Sequence, residues 1–328
     1  MAEGPAARLV AVVVTHNRLA QLRVTLARLL AHPPGLLAGV VVVDNRSTDG
    51  TAAWLAAETD PRLIVLRLEE NRGGAGGFEA GLRLAAERLD PDWLVVMDDD
   101  ARPEPGALAA FAAMDRTGWA ALAAAVRYPA GGICEMNRPS RNPFWHAGAF
   151  VRTLLGGGRA GFHLGDAAYA QAAVQPVDAA SFVGLFLSRA ALARAGFPDG
   201  GLFLYGDDVI YTLRLSAAGG RIGFAPGVRF EHDCSSLAQG GGHALRPIWK
   251  TYYNYRNGLL AYRLAAGPVW FWPVLAVVVP KWAWRARHQP KGVRALYLRL
   301  LARAVADGLA GHTARPHAEV LAMAPDPG

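Results

Sequence analysis

The chain has 328 residues, of which 52% are hydrophobic and 19% are charged. This length and composition allow a large buried core, which excludes an intrinsically disordered protein. Its two cysteines exclude a disulfide-stabilised scaffold and fit a reducing compartment. The first residues, from Met1 to Pro5, do not have the pattern of a signal peptide, so we expect a cytoplasmic protein.

The net charge of +7 is distributed unevenly along the chain. Between Asp233 and Asp307 there is no acidic residue, whereas eleven Lys and Arg residues fall in the same stretch. Without these cations the net charge would change from +7 to −4. A basic carboxyl-terminal segment of this kind favours contact with an anionic membrane surface, a pyrophosphate or a nucleic acid.

The first hundred residues alternate between short apolar runs and amphipathic stretches. The apolar runs predict strands at 9–14, 40–43, 63–68 and 93–97, and the amphipathic stretches predict helices at 19–30, 51–57 and 76–89. Continuous apolar strands between amphipathic helices indicate a mostly parallel sheet with helices on both faces. The predicted fold class is therefore α/β and Rossmann-like.

After residue 100 the pattern is less regular. A helix is expected to begin near Pro103-Glu104, and Gly- and Pro-rich loops at 131–165 are expected near the mouth of a site. Further elements are predicted as a strand at 180–187, helices at 189–195 and 207–218, and short strands at 221–224 and 228–231. Beyond residue 240 the pattern is helical and aromatic, so we predict an α/β domain at 1–240 and a helical extension at 241–328.

Three consecutive aspartates, Asp98, Asp99 and Asp100, follow the predicted strand at 93–97. Adjacent carboxylates repel one another, and an open α/β sheet binds its ligands at the carboxyl ends of its strands. The cluster therefore predicts a divalent metal and, bound to it, a phosphate-bearing substrate. Mg²⁺ and Mn²⁺ both accept oxygen ligands, and the sequence fits either ion.

Polar residues also follow the first two predicted strands, at 15–18 and 44–47. A nucleotide base and ribose could be bound there. Taken alone, each motif is better explained by ordinary helix capping, by Asn17, Ser47 or Asp49. Together with the aspartates, the two motifs favour a shared crevice.

A glycine-rich stretch, Asn-Arg-Gly-Gly-Ala-Gly-Gly-Phe at 71–78, follows the third strand and opens a helix. Its glycines would let the backbone approach a phosphate at the helix amino terminus. The alternative is a tight turn with close packing between helix and strand. It is not a dinucleotide fingerprint, because Glu79 stands where the third glycine would fall.

Asp207 and Asp208 begin a predicted helix, and His232 ends the last short strand. The aspartates could simply compensate the helix dipole, or one of them could act as a general base. A single histidine is more often structural than a ligand. Here it could complete a metal site, because two aspartates do not fill the coordination shell.

The carboxyl-terminal segment contains an apolar stretch at 267–280, interrupted by Pro273 and followed by Lys281-Trp-Ala-Trp-Arg285. Fourteen residues are too few to span a bilayer easily. Tryptophans mixed with cations beside an apolar stretch are typical of a membrane interface, and the alternative is a buried helix packed on the main domain.

Taken together, these motifs resemble those of glycosyltransferase family 2, whose members have the GT-A fold. The likeness runs from Leu9 to Ser236, and weakly to Tyr262. It is carried in order by 13–18, 42–45, 71–78, 97–100, and 206–208 with His232 behind. Within the family, the chain resembles bacterial galactofuranosyltransferases and rhamnosyltransferase-like enzymes of cell-surface polysaccharide assembly.

The resemblance implies a role for each matching position. It implies nucleotide contacts for Thr15, Asn17 and Asp44, and contacts near the diphosphate or sugar for Arg72 and Gly73. It implies a contact with the sugar or acceptor for Asp99, and metal ligation for Asp98, Asp100 and His232. Asp208 is implied to be the catalytic base. Many relatives carry an acid two residues after that base, where this chain has Ile210, so acceptor specificity does not transfer. A Tyr-Arg-Asn patch at 252–257 also matches, without an implied role.

The expected activity is metal-dependent, inverting sugar transfer. The donor would be UDP-galactofuranose, or alternatively dTDP-rhamnose, and the acceptor a glycan or a polyprenyl-diphosphate-linked glycan at the inner face of the cell membrane. A nucleotidyltransferase should carry a Gly-rich basic loop after its first strand, where this chain has Thr15-His16-Asn17-Arg18.

Two non-enzymatic alternatives remain. A non-catalytic glycan- or lipid-binding module is disfavoured because the acids and His232 are all present. A nucleic-acid binder ranks last, because the tryptophans of the basic segment adjoin an apolar run rather than a polar groove. We therefore expect no nucleic-acid partner.

Overall fold

The computed structural model describes residues 7–234 and 245–324. Its strands are β1 (Leu9–Thr15), β2 (Gly39–Asp44), β3 (Leu63–Arg67), β4 (Trp93–Asp98), β5 (Ala101–Pro103), β6 (Ala121–Arg127), β7 (Gln175–Val177), β8 (Leu185–Ser188) and β9 (Ile222–His232). Its α-helices are α1 (Leu19–Leu30), α2 (Thr51–Ala57), α3 (Gly73–Leu89), α4 (Ala107–Ala113), α5 (Ala147–Arg152), α6 (Asp166–Tyr169), α7 (Arg189–Ala195), α8 (Asp207–Ala217), α9 (Lys250–Trp284), α10 (Arg294–Ala310) and α11 (His317–Met323).

The strands form one sheet in the order β3-β2-β1-β4-β8-β6-β9-β5, with β7 paired to β9. Strands β1 to β4 are parallel, as are β6 and β9, whereas β5, β7 and β8 run antiparallel to their neighbours. The predicted α/β fold class is confirmed. The parallel half of the sheet brings the carboxyl ends of β1, β2 and β4 to one edge, where the predicted site residues lie.

Helices cover both faces of the sheet, because the residues of β1 point alternately to the two sides. Val12 and Val14 pack with α3 on one face, and Ala11 and Val13 pack with α1 and α4 on the other. Helix α3 approaches β1 closely at Gly77, where a Cβ atom would lie 2.5 Å from Val14 Cγ1. The alternation of two fully buried faces explains why these strands have continuous apolar sequences.

The structure contains a central strand, β6, that the sequence pattern does not predict. Its sequence, Ala-Leu-Ala-Ala-Ala-Val-Arg, is rich in alanine, which favours helices in isolation. Pairing with β8 and β9 on its two sides buries it almost completely. Tertiary context therefore overrides the local propensity.

Several predicted boundaries differ from the structure, and helix α3 begins at Gly73 rather than at 76. The helix expected near Pro103 begins at Ala107, because 101–103 pairs with β9 as β5. Strand β8 begins at Leu185 rather than at 180, and Ala180 N instead donates a hydrogen bond to Thr212 Oγ1 on α8. The strands expected at 221–224 and 228–231 form the single strand β9, with an irregular register opposite Ala124 and Ala125.

The carboxyl-terminal helices form a separate apolar cluster. The first half of α9 packs on α10 and α11, and Phe203 of the sheet domain joins this cluster. Helix α9 is broken at Gly267, whose φ is 65° and ψ −177°. By length and composition, the helical segment Lys250–His288 could cross a membrane, and 11% of its most apolar window is buried. The predicted domain boundary at 240/241 lies outside the described residues.

Candidate active site

An acidic cluster lies at the carboxyl end of β4. The candidate ligand atoms of Asp98, Asp100 and His232 all lie within 4.8 Å of one another. Asp98 ends β4, and Asp100 immediately precedes β5. Because β5 pairs with β9 so that Ala101 faces His232, the ladder places the histidine beside the aspartates, although it is more than 130 residues away in sequence. The three residues predicted to bind a metal are therefore adjacent.

The hydrogen bonds of His232 orient its ring toward Asp100. Its Nδ1 lies 2.8 Å from Asn137 Oδ1, and Asn137 Nδ2 donates to Ser181 Oγ at 2.9 Å, so the amide presents its oxygen to the imidazole. When Nδ1 donates this bond, a neutral His232 directs the lone pair of Nε2 toward Asp100 Oδ1, 3.2 Å away. Two acceptors that face each other at this distance require a proton or a cation between them.

The donor set fits a divalent metal. Asp100 Oδ1 is buried, and His232 Nε2 faces it at 3.2 Å. Two carboxylates and one imidazole suit Mn²⁺ or Mg²⁺, and a carboxamide that fixes the distal imidazole nitrogen is a common second-shell partner of a metal-bound histidine. The positions and chemistry of these three side chains therefore fit a divalent metal site.

The charges of the cluster shift the pKa of its members. Burial, reinforced by repulsion from Asp100, raises the pKa of Asp98 to about 7, and burial raises that of Asp99 to about 6. Burial alone would lower the pKa of His232, but its contacts with Asp100 and Cys134 raise it to about 10. Burial would raise the pKa of Asp100, yet His232 and Arg18 lower it overall. His232 and Arg18 thus compensate the negative charge of the three aspartates only in part.

Arg18 is the cation that contacts the aspartates directly, and the sequence motif assigned it no role. Its Nη1 lies 2.5 Å from Asp100 Oδ2 and 3.5 Å from Asp99 Oδ1. Thr15 Oγ1 donates to the other oxygen of Asp99 at 2.6 Å. The resemblance implies that Thr15 contacts the nucleotide and that Asp99 contacts the sugar or acceptor, and in the structure both side chains are buried and bonded to each other. Their visible role is to position Arg18.

The loops after β1 and β2 form a connected crevice. Asn17 has a left-handed backbone (φ 54°), and its Oδ1 accepts a hydrogen bond from Thr48 N at 2.7 Å. Asp44 is fully buried, and its Oδ1 accepts from Ser47 N at 2.8 Å. Its Oδ2 has no hydrogen-bond partner among the described residues, and Arg67 Nε lies 3.6 Å away. Asp44 is therefore linked to Asn17 through Ser47, whose Oγ accepts from Asn17 N at 3.0 Å, and its Oδ2 keeps an acceptor without a hydrogen bond.

The glycine-rich stretch packs against a second loop. Gly73 has φ +68°, and a Cβ atom there would lie 2.0 Å from the carbonyl oxygen of Phe203. The amides of Gly73 and Ala75 donate to Asn71 Oδ1 and to Phe203 O, so they are already bonded within the protein. Close packing is thus the favoured interpretation of these glycines. Arg72 is partly exposed, and its Nη2 lies 3.3 Å from Glu79 Oε2.

Asp207 and Asp208 begin α8 near the acidic cluster. Asp208 Oδ1 accepts from Val209 N at 2.7 Å. Burial raises the pKa of Asp208, and a hydrogen bond from the Phe182 backbone partly offsets this. Burial, the charge of Asp208 and the charge of Asp98 all raise the pKa of Asp207. Because the charge of Asp98 contributes to this rise, the start of α8 lies within electrostatic range of the candidate metal ligands.

Helix α9 fixes the backbone that precedes Asp207. Arg256 is fully buried, and its Nη2 donates to the carbonyl oxygens of Gly201 and Leu202, both at 2.9 Å. Asn257 Nδ2 donates to the carbonyl oxygens of Leu202, Leu204 and Tyr205 at 3.0, 2.9 and 2.8 Å. This gives a structural role to the Tyr-Arg-Asn patch, which the sequence singles out without explaining.

The residues held by this contact adopt an unusual backbone. Phe203 and Tyr205 have φ values of 63° and 70°, a region that non-glycine residues rarely occupy. Such a conformation persists only where its surroundings enforce it. The sequence signal for this contact is the arginine and asparagine of the Tyr-Arg-Asn patch on α9.

Comparisons with known proteins agree with this arrangement. The family model described as "Glycosyl transferase family 2" matches residues 10–168. The galactofuranosyltransferase GlfT1 of Mycobacterium tuberculosis is 30% identical over 259 residues, covering 75% of this chain and 79% of that protein. The GlfT1 of Mycolicibacterium smegmatis is 28% identical over 258 residues, covering 75% and 80%.

Solved structures show the same fold at low sequence identity. GalNAc-T7 with UDP, GalNAc and Mn²⁺ aligns with a TM-score of 0.52 and 15% identity, covering 70% of this chain and 43% of that one. Staphylococcus aureus TarS 1–349 in complex with UDP-GlcNAc aligns with a TM-score of 0.51 and 14% identity, covering 93% and 89%. Because a relative at 30% identity is covered over most of its length, this chain belongs to glycosyltransferase family 2 and is a glycosyltransferase.

Proposed function

We propose that this glycosyltransferase is an inverting, metal-dependent enzyme that transfers galactofuranose from UDP-galactofuranose to a glycan acceptor in cell-surface polysaccharide assembly. The observation that carries the proposal is the convergence of Asp98, Asp100 and His232 beside the start of α8, which bears Asp208. The galactofuranosyltransferase relatives support this donor. A dTDP-rhamnose donor is the alternative.

Asp98, Asp100 and His232 would hold Mn²⁺ or Mg²⁺. When bound, the cation supplies positive charge that stabilises the departing nucleoside diphosphate. Asn137 holds the imidazole so that Nε2 faces the aspartates. Arg18 adds a second positive charge at the same edge.

Asp208 is the proposed general base. It takes the proton of the acceptor hydroxyl as that oxygen attacks the anomeric carbon from the face opposite the diphosphate. A single displacement of this kind needs one base and no protein nucleophile, and it inverts the anomeric configuration. The hydrogen bonds to Asp208 from the amides of Phe182 and Val209 orient the carboxylate.

The crevice between the β1 and β2 loops is proposed to bind the nucleotide. Asp44 Oδ2 can accept an N–H from the base, and Ser47 connects Asp44 to Asn17. Thr15 contributes through its support of Asp99 and Arg18. Arg72 and Gly73, at the start of α3, are placed toward the diphosphate or the sugar.

The acceptor is proposed to be carried on a polyprenyl diphosphate at the inner face of the cell membrane, with the carboxyl-terminal unit (241–328) bound peripherally. After Gly267, helix α9 exposes apolar side chains, including Val269 (75%), Trp272 (60%) and Val277 (67%). Trp270 contacts Phe150 of α5 with ring centroids 5.3 Å apart, which joins α9 to exposed Leu155 (82%) just after α5.

We call this surface the α5–α9 apolar patch; it comprises Val151, Leu154, Leu155, Val269, Trp270, Trp272 and Val277. Cations follow it directly in the chain, at Lys281, Arg285 and Arg287. Apolar side chains for the acyl region and cations for anionic headgroups together match a membrane interface. The residues after α5 add to the surface that the sequence alone predicts.

The activity is tested by incubating the protein with nucleotide sugars, including UDP-galactofuranose and dTDP-rhamnose, with Mn²⁺ and a lipid-linked glycan mixture. We expect product of the mass that corresponds to galactofuranose transfer, and loss of product when a chelator is added. Transfer of rhamnose alone would replace the donor assignment. Full activity in the presence of chelator would refute the metal requirement.

Membrane binding is tested by co-sedimentation with phosphatidylglycerol vesicles. Replacing Trp270 and Trp272 by serine should move most of the protein to the supernatant, whereas Val65→Ser, an exposed apolar residue on β3, should leave binding unchanged. Equal sedimentation of both variants would refute the proposed membrane-binding surface. Retention of the wild-type protein after an alkaline carbonate wash would show a spanning helix instead of a peripheral one.

A further inference from the structure

The two cysteines of the chain lie side by side next to the candidate metal ligand His232. Cys134 Sγ and Cys234 Sγ are 3.7 Å apart, although a hundred residues separate them in sequence. Cys134 follows β6 and is fully buried, and Cys234 comes just after β9 and is partly exposed. The chain contains no other cysteine. The fold therefore pairs the only two thiols that the protein has.

The thiol of Cys134 is part of the contacts that hold His232. Cys134 Sγ lies 3.0 Å from Asn137 Oδ1, and the same oxygen accepts the hydrogen bond from His232 Nδ1. Cys134 Sγ is also 4.0 Å from His232 Nδ1. On the other side, Cys234 follows His232 by two residues, and its Sγ lies 3.8 Å from the carbonyl oxygen of His232. Movement of either sulfur would therefore disturb the support of the histidine.

The pair is accessible from the surface through Cys234. Its Sγ lies 3.4 Å from Met136 Sδ, and Met136 is 47% exposed. A small soluble reagent can thus reach Cys234, while Cys134 lies behind it as the second thiol. Two thiols in contact can be joined by thiol–disulfide exchange, and a soluble reagent meets the partly exposed Cys234 before the buried Cys134.

We propose that Cys134 and Cys234 form a reversible disulfide that displaces His232 and so weakens metal binding at the acidic cluster. The proposal rests on the function above only in assigning His232 as a metal ligand. It adds a modification site and a mode of regulation to the same centre.

The reaction uses a low-molecular-weight disulfide such as oxidised glutathione as the oxidant. The sulfur of Cys234 attacks one sulfur of the reagent, and one thiol of the reagent leaves with the proton of Cys234. The sulfur of Cys134 then attacks Cys234, a protein disulfide forms, and the second thiol leaves with the proton of Cys134. Both protein thiols are oxidised, and one reagent disulfide is reduced to two thiols.

Bond formation must shorten the separation of the two sulfurs from 3.7 Å to about 2.0 Å. The movement withdraws Cys134 Sγ from Asn137 Oδ1 or pulls the end of β9 toward 134. Either change alters the orientation of the His232 ring. Loss of second-shell support typically weakens metal affinity about 10- to 100-fold, and we expect a decrease in this range on oxidation.

The test begins with the fully reduced protein treated with oxidised glutathione. We expect two thiols to disappear, the protein to stay monomeric and lose the mass of two hydrogens, and dithiothreitol to restore both thiols. A peptide map without reductant should show the 134–234 link. Persistent glutathione adducts, intermolecular disulfides or unreacted thiols would overturn the proposal.

The second measurement is Mn²⁺ affinity, determined by electron paramagnetic resonance on the reduced and the oxidised protein. Oxidation should weaken binding about tenfold or more in the wild type and leave Cys234→Ser unaffected. A disulfide that forms without a change in Mn²⁺ affinity would refute the coupling to His232. Failure of the reduced protein to bind Mn²⁺ would instead contradict the proposed metal site, while the thiol analysis would still decide whether the disulfide forms.

A third observation distinguishes a metal-binding role for the same thiols. Two cysteines and an imidazole nitrogen are also soft ligands for zinc. One equivalent of tightly held zinc in the reduced protein, protecting both thiols from oxidised glutathione, would show a zinc site and overturn the switch.

Discussion

The acidic cluster and the contact of Arg256 on α9 with the loop before α8 both bury charged groups. Hydrogen bonds satisfy the buried charge fully only in the second region. Asp44 Oδ2 is buried without a hydrogen-bond partner among the described residues, Asp100 Oδ1 faces only the imidazole edge of His232 among the contacts described above, and the pKa of Asp98 is raised to about 7. In contrast, Arg256 donates from its Nε, Nη1 and Nη2 atoms to side-chain and carbonyl oxygens. The acidic edge of the sheet thus keeps a buried acceptor without a hydrogen bond, whereas the three side-chain nitrogens of Arg256 all donate hydrogen bonds.

The two regions therefore have different roles: the acidic edge is suited to bind a ligand, and the Arg256 contact supports the fold. Unsatisfied buried acceptors destabilise a fold unless a ligand completes them, so their presence at the carboxyl ends of β2 and β4 indicates binding. A fully bonded arginine rigidifies what it contacts, which here is the backbone before Asp207. The carboxyl-terminal helices therefore support the backbone that leads to the proposed base, Asp208.

The largest expected effect comes from Asp208→Asn, which removes the proposed base without changing the shape of the side chain. The kcat of sugar transfer should fall at least about 100-fold, with donor affinity largely retained. Steady-state kinetics and calorimetric titration with UDP measure the two quantities. Asp60→Asn, an acid in the loop between α2 and β3, is the matched control. Weakened donor binding with normal turnover at saturation would contradict the assignment.

Arg256→Lys tests the supporting region directly. Lysine keeps the charge but cannot reach all the carbonyl oxygens that the guanidinium contacts, and each unsatisfied buried carbonyl costs about 1–3 kcal/mol. The free energy of unfolding in urea should fall by about 2–4 kcal/mol, and kcat should fall as the loop before Asp207 loosens. Arg263→Lys, on the exposed side of the same helix, should change neither. Lower stability with an unchanged kcat would restrict α9 to a purely structural role.

Asn137→Ala tests whether the amide that holds His232 acts through the metal. Mn²⁺ affinity should weaken about 10- to 100-fold, because the imidazole loses the partner that fixes its tautomer. Asn254→Ala removes the same group from α9 and should bind Mn²⁺ normally. If the two variants bind Mn²⁺ equally well, Asn137 contributes only to the fold.

The smallest expected effect is a shift in the pH profile. A general base must be deprotonated, so kcat/KM should be lost as the pH falls through the pKa of Asp208. Since burial raises this pKa, the acidic limb should lie above the range of an ordinary aspartate, at saturating Mn²⁺. An acidic limb at or below pH 4 would show that another group controls it.

The amino-terminal half of the fold was readable because each of its strands and helices has its own periodicity. The predicted segments at 19–30 and 51–57 coincide with α1 and α2, and the strands at 9–14 and 93–97 are each within one residue of β1 and β4. Strand β6 could not be predicted, since its alanines become a strand only between β8 and β9.

The residues of the candidate site likewise fall into those that local sequence places and those that only the structure brings together. The aspartate triplet follows its strand directly, so local sequence was enough to place Asp98 and Asp100 at the edge of the sheet. The contacts of Asp99 with Thr15 and Arg18 could not be read from the sequence, because they join loops about 80 residues apart. The same holds for Asn137, which meets His232 across 95 residues.

By itself, the sequence determined the parallel half of the sheet, the acidic edge and the basic, aromatic segment, because each depends on residues close together in the chain. Only the tertiary structure decided the rest: which acids are unsatisfied, which cation faces them, why Arg256 is buried and how two distant cysteines meet beside His232. These are properties of pairs that packing brings together. Their energies depend on distance and burial, and neither quantity is contained in the order of residues alone.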